Sequence, residues 1–312
     1  MSVVLTHVPV TDATLTSCNI TEDDYDVWDA TTTFARRDFV ISTDTHTVYR
    51  SLTDSNLDND PDIEVAAFSD PLIEDPDPRN WQVIGATNRW RLFDQRPSRV
   101  ATRTDGITFA VEPAFVIGGV AGFNITAASV KVQVYSGADK IYERTLIMQD
   151  ESAVVDGLSY YSEPFRPMKE FAFDDLPILG SPKIVVTLAG TGAVSAGQIV
   201  IGRRIDFGIT MRDGTGSSGL DFSYVNVNEY GDLETVRRPA TRLFDINLFV
   251  ERKKLFSLIR TLDRLRGGTA AVWIGASDGN ISAIGYGFYR GYRQVYVGAD
   301  HAQIALEIQG IT

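Results

Sequence analysis

The chain has 312 residues, is 44% hydrophobic, and carries 41 acidic against 29 basic side chains, for a net charge of −12. That length exceeds one ordinary core and predicts two or three domains, while the apolar fraction excludes wholesale disorder. The negative balance repels phosphate, so nucleic-acid binding is not expected, and no apolar run reaches the ~18 residues that insert across a bilayer.

The first residues, MSVVLTHVPVTD, show neither a basic leader nor a cleavage site, so a secretory signal is not expected. Cys18 stands alone, which excludes an intrachain disulfide and suits synthesis in a reducing cytoplasm. Residues 1–17 alternate and predict an N-terminal strand or arm followed by a turn. Residues 18–83 predict a small β domain, with strands around Phe39–Ile41 and Val48–Tyr49 joined by a polar turn at Ser42–Thr45. Within it, residues 51–78 hold nine acids, no base, and prolines at 61, 71, 76 and 78. This segment predicts a solvated acidic loop held open by like charges. Asp58, Asp60, Asp62 and Glu64 alternate there as a weak calcium candidate, although the glycine of an EF-hand loop is absent and Pro61 interrupts the run.

From 84 to 202 strand follows strand: Ile107–Val111, Val130–Tyr135, Tyr142–Met148, Lys183–Leu188 and Gln198–Ile201. Regular spacing without crossover helices predicts a jelly-roll-like antiparallel β-sandwich. Residues 203–312 predict an α+β sandwich. Strands at Ile205–Met211, Phe222–Val227 and Leu243–Val250 precede one helix, Arg252–Arg266, whose apolar stripe is Leu255, Ile259 and Leu262 with Phe256 and Leu258. Gly267 stops it. Strands at Ala270–Ile274, Ile281–Tyr289 and Ile304–Ile308 complete the domain. The fold class expected is mainly β with one helix. Charge is uneven: residues 1–100 have 18 acids and 8 bases, whereas residues 203–312 have 12 and 14. An acidic, solvated front and a near-neutral back suited to burial against a partner follow from that split.

No catalytic spacing emerges, and an enzyme is not expected. His7, His46 and His301 are far apart, so no metal pair forms at helical spacing. Gly214–Gly219 matches G-x-G-x-x-G, but a strand rather than a helix is expected after it, which favours a hairpin loop over a phosphate cradle. Cys18 precedes an acidic stretch that disfavours a thiolate.

Trp28, Phe34, Asp38-Phe39-Val40, Tyr49, Pro78 and Trp81 follow the order of a chitin- or cellulose-type carbohydrate-binding module, which this segment resembles. The departures are Arg37, where that family has glycine, and a longer Tyr-to-Trp interval. The resemblance implies sugar stacking on Trp28, Phe34, Tyr49 and Trp81, or a scaffold role for the same rings. Asn88-Arg89-Trp90-Arg91-Leu92-Phe93-Asp94 lies just past the module. Together with Phe222-Ser223-Tyr224, Tyr230-Gly231, Arg237-Arg238, Gly285-Tyr286-Gly287-Phe288-Tyr289 and Leu306-Glu307-Ile308-Gln309-Gly310, it resembles tail-tip and baseplate chains of long-tailed bacteriophages. That resemblance implies a virion protein of the tail tip with no cofactor. Its partners would be copies of itself in a ring or trimer, other tail proteins, and a host surface glycan. Phe244, Phe249, Trp273, Tyr289 and Tyr292 are the assembly-interface candidates it implies.

Overall fold

The computed structural model describes residues 2–69, 79–150, 154, 156–162, 164, 166–211, 213–227, 230–238, 240–275, 284–298 and 300–311. It is mainly β, with antiparallel ladders throughout. The front of the chain contributes β1 (Ser2–His7), β2 (Leu15–Cys18), β3 (Phe39–Ser42), β4 (Thr47–Ser51), α1 (Pro61–Ser69) and β5 (Trp81–Ala86). The middle contributes β6 (Ala101–Thr104), β7 (Ile107–Val111), β8 (Gly119–Thr126), β9 (Ser129–Ser136), β10 (Asp139–Ile147), the short α2 (Gly157–Ser162), β11 (Glu170–Phe173), β12 (Lys183–Ala189) and the 18-residue β13 (Ala193–Thr210). The back contributes β14 (Gly216–Asp221), β15 (Tyr224–Val227), β16 (Leu233–Val236), β17 (Ala240–Glu251), α3 (Arg252–Arg264), β18 (Ala271–Gly275), β19 (Ile284–Tyr296) and β20 (His301–Gly310).

The expected sandwich is present. One layer runs β10-β9-β12-β7-β2, and the other is formed by β11, β8, β6 and the first half of β13. Strict alternation sets which side chains meet between the layers. In β9 Val130, Val132 and Val134 point inward; in β12 Ile184, Val186 and Leu188 do. The inward face is continuous and apolar, and removing it from water drives the layers together. The β13–β8 ladder keeps one register from Ala196 opposite Ile125 to Gln198 opposite Phe123, with Gly197 between them. A Cβ there would come 2.1 Å from the Pro97 carbonyl oxygen, so only glycine lets the segment after the Trp90–Leu92 turn cross this sheet.

Three expectations about organisation are corrected. First, the N-terminal strand is no detached arm: β1 lies between β13 and β18 in the middle of the largest sheet, with Val3, Val4 and Leu5 buried. Second, the boundary at 202/203 falls inside β13, whose first half belongs to the sandwich and whose second half pairs with β1 and β17. The expected strands Gln198–Ile201 and Ile205–Met211 are one strand as far as Thr210, because β1 pairs without interruption with Gly202, Arg203, Arg204 and Ile205 between them. Third, part of the acidic loop is helical. Asp60 accepts hydrogen bonds from the backbone N–H groups of Asp62 (2.9 Å) and Ile63 (3.4 Å), and Pro61 takes the first helical position, where its missing N–H costs nothing. The same proline had suggested an interruption. Residues 70–78 of that loop and 281–283 of the expected Ile281–Tyr289 strand lie outside the described residues.

The back half closes on itself: β13 pairs β1, β1 pairs β18, and β18, β19, β20 and β17 follow in turn. The circuit ends where Ile209 and Thr210 of β13 pair with Phe249 and Leu248 of β17. Six antiparallel strands thus form a closed circuit, which leaves few open edges. Helix α3 packs Leu255, Leu258 and Leu262 onto Phe244, Ile246, Leu248, Ile304 and Leu306. Phe256 departs from the expected stripe; it is 66% exposed, on the opposite side of α3, with the Arg260 guanidinium 4.8 Å above its ring. Gly267 ends the helix region with a positive φ of 80°, as the sequence predicts.

Candidate functional site

The carbohydrate-module candidates collect in the three-stranded β3-β4-β5 unit. Phe34, Tyr49 and Trp81 are buried there with Val40, and Trp28 packs half-exposed against them. The Trp81 indole N–H donates to the Asn59 carbonyl at 2.8 Å, and Phe34 meets its ring edge-on at 5.5 Å. A sugar stacks only on an exposed ring face, so Phe34, Tyr49 and Trp81 form the unit's core and are not sugar ligands. The reason is size: a unit this small needs its large rings to exclude water. Sequence reading missed Tyr25, which is 44% exposed and stacked on Phe39 at 4.9 Å. Its only signal was position, three residues ahead of Trp28.

The calcium candidates also separate into structural tasks. Asp62 accepts hydrogen bonds from Tyr49 and Thr45, each at 2.7 Å, and from Ser42 at 2.5 Å. Glu64 accepts from the backbone N–H groups of Asn80 (2.6 Å) and Trp81 (3.0 Å). Asp60 caps α1, and Asp58 occupies a left-handed backbone position at φ 58°. The oxygens face different donors, and among the described residues no group of three His, Cys, Asp or Glu side chains gathers around a metal-sized space. Burial, partly opposed by the Thr45 hydroxyl, pushes the Tyr49 phenol up to about 12.

His46 holds this unit against the rest of the chain. Its two ring nitrogens lie 2.8 Å from Asp12 and 3.0 Å from Glu22, and its ring stacks on Trp90 at 4.2 Å. Glu22 also accepts from the Thr87 hydroxyl at 2.6 Å, and Asp24 from the Asn88 N–H at 2.9 Å. The Asn88–Asp94 run therefore serves as a structural junction. Asp94 lies at its end, where burial outweighs the nearby arginines and raises the carboxyl to about 6. The Asp94 charge adds to burial in pushing the Tyr286 phenol far upward. Asp94 Oδ2, Gln198 Oε1 and the Tyr286 hydroxyl are buried without a hydrogen-bond partner.

The five assembly candidates divide by burial. Phe244 and Trp273 are buried, and the Trp273 N–H donates to the Gly287 carbonyl at 3.0 Å. Tyr289 and Tyr292 pack against the core beside α3, and Phe249 stacks on His301 at 4.6 Å. Phe244 and Trp273 are thus core and not interface, whereas Phe249, Tyr289 and Tyr292 are only partly buried. Above Tyr286, a groove of about 490 Å³ is lined by Phe123, Lys169, Glu170, Arg242 and Phe244. Burial raises the Glu170 carboxyl, opposed by Arg242 at 3.5 Å. That pair satisfies itself, and no histidine or second carboxylate lines the groove.

Gly216 and Gly219 of the glycine-rich run lie in β14, while Gly214 turns with φ 74°; no helix follows, so no phosphate cradle is formed. Cys18 is half-buried, and burial pushes its thiol up.

The surface that stands out is a ribbon the sequence had treated as one strand, Phe222–Val227. The chain turns after β14 and sends out β15 and β16 as a two-stranded hairpin, with every described residue of both strands exposed. Pairing sets Tyr224 opposite Val236, Val225 opposite Thr235, Asn226 opposite Glu234, and Val227 opposite Leu233. Alternation then puts Val225, Val227, Leu233 and Thr235 on one face. That face is apolar and uncovered: Val225 and Val227 are 59% exposed and Leu233 is 72%. At the base, Arg238 lies 4.9 Å above the Tyr224 ring and its N–H donates to the Ser223 hydroxyl at 3.0 Å.

Compared with known proteins, the chain matches no family model, no curated protein and no solved structure.

Proposed function

We propose that this chain works by assembly without catalysing a reaction, as a structural component of a bacteriophage tail tip that joins copies of itself and other tail proteins. The observation that carries the assembly reading is the β15–β16 ribbon. An isolated two-stranded hairpin is marginal in water, and one with an uncovered valine–leucine face gains stability once a partner covers it. The tail-tip assignment rests on the resemblance of Asn88–Asp94 and of the motifs after Phe222 to tail-tip chains. Such a protein needs no cofactor and would reside in the virion.

Removal of residues 222–236, with a short glycine-serine link from Asp221 to Arg237, tests this reading. The shortened chain is expected to fold, to stay monomeric, and to be missing from assembled particles. Normal incorporation would overturn the reading. Truncation at Arg203 is a poorer test, since it cuts β13 and strips β1 of both neighbours.

A second reading is attachment to host surface glycan, favoured by the exposed Tyr25 ring beside Phe39 and the half-exposed Trp28. Tyr25→Ala would then lower adsorption while leaving assembly unchanged. Equal adsorption by that variant would remove the idea.

A further inference from the structure

We propose that the β15–β16 ribbon of one copy seats on the exposed face of helix α3 of a second copy; this rests on the assembly reading above and names the surface that receives the ribbon. The first argument is charge. Each copy carries −12, so two copies repel unless their contact sets acid against base. Residues 221–236 contain four acids and no base, whereas residues 252–266 contain six bases and one acid. No other stretch offers the ribbon so dense an opposite charge.

The second argument is shape and polarity. Leu255, Leu258 and Leu262 point into the core, so helical geometry puts Lys253, Phe256, Arg260 and Arg264 together on the opposite, exposed ridge. The Phe256 ring, 66% exposed, offers the apolar ribbon face a partner, and the long stems of the basic residues extend that apolar ground. Aromatic side chains bury about 150–250 Å² each when covered. The ribbon side that meets Phe256 is the one bearing Val225, Val227 and Leu233, while Tyr224 and Val236 lie on its other side. Ribbon and helix are different patches, so the contact is heterologous and propagates into a ring or a filament.

Sedimentation velocity on the purified full chain tests this with two variants whose altered side chains are all exposed. One is Val225→Ser with Leu233→Ser; the other is Arg260→Glu with Arg264→Glu. Each is expected to keep the native circular dichroism and melting temperature and to weaken self-association on the order of tenfold or more. Raising salt is expected to weaken the native contact. The two variants mixed in equal amounts should form a heterodimer, because each supplies the patch the other lacks. If the ribbon variant dissociates while the helix variant associates like the native chain, the assembly reading stands and the helix is the wrong receiver. Absence of the heterodimer would point to ribbon-on-ribbon contact and overturn the proposal. A native chain that stays monomeric at every concentration would overturn both the proposal and self-assembly.

Discussion

Single side chains in this protein carry tasks that their types alone do not disclose. Asp62 is one of nine acids in residues 51–78, yet it receives three hydroxyl donors and holds Tyr49 in the core of the front unit. Asp62→Ala takes the 2.7 Å acceptor from the buried Tyr49 hydroxyl, leaving weaker threonine contacts such as Thr45 at 3.3 Å, and is expected to cost about 1–3 kcal/mol in urea denaturation. Calcium is expected to leave the melting temperature unchanged, since ligand binding to the folded state would raise it. Asp94 makes the opposite kind of contribution. Its folded pKa of about 6 lies above the ordinary aspartate value of about 3.9, so the folded chain holds this proton more tightly than the unfolded one. The associated stability is complete below about pH 4 and is lost as pH rises through about 6. Asp94→Asn keeps an oxygen for the Arg96 N–H (2.9 Å) and stays neutral. The variant is therefore expected to melt higher than the native chain at pH 7.5 and close to it at pH 4.5. Equal melting temperatures at both pH values would contradict the burial effect.

At the scale of elements, the front unit depends on very few residues. Trp81 is fully buried among Phe34, Val40 and Tyr49, and Trp81→Ala is expected to remove about 3–5 kcal/mol, enough to open a unit with so small a core. Hydrogen exchange would show β3, β4 and β5 losing protection while β9 and β12 keep theirs. The first strand is the contrasting case. Leu5 is fully buried among Val3, Ala121, Val200 and Val272, and Leu5→Ala is expected to lower stability by about 2–5 kcal/mol. A detached arm would show almost no change in the urea midpoint. Strands of the sandwich were readable because alternation marks a half-buried ladder directly, as in Val130, Val132 and Val134. Helix α1 was not, because its acids and Pro61 suggested a solvated loop, while its cap is visible only once Asp60 is seen facing two free N–H groups.

At the scale of the whole molecule, the mainly β class, the central sandwich and helix α3 followed from the sequence, since each is written in local periodicity. The absence of catalytic spacings and the charge split between the two ends were equally local. Which aromatic rings are core was decided only by the tertiary structure. Trp81 and Trp273 disappear into separate cores, while Tyr25 and Phe256 face outward, and composition treats all four alike. The union of the first strand with the last domain, and the closure of β13 on β17, join residues some 200 and 40 positions apart. Strand pairing is chosen by the burial of whole faces and not by neighbours along the chain, so no local pattern records it. The ribbon shows the same limit. Its alternation predicts a strand with one apolar face, but only the folded chain reveals that nothing described within it covers that face.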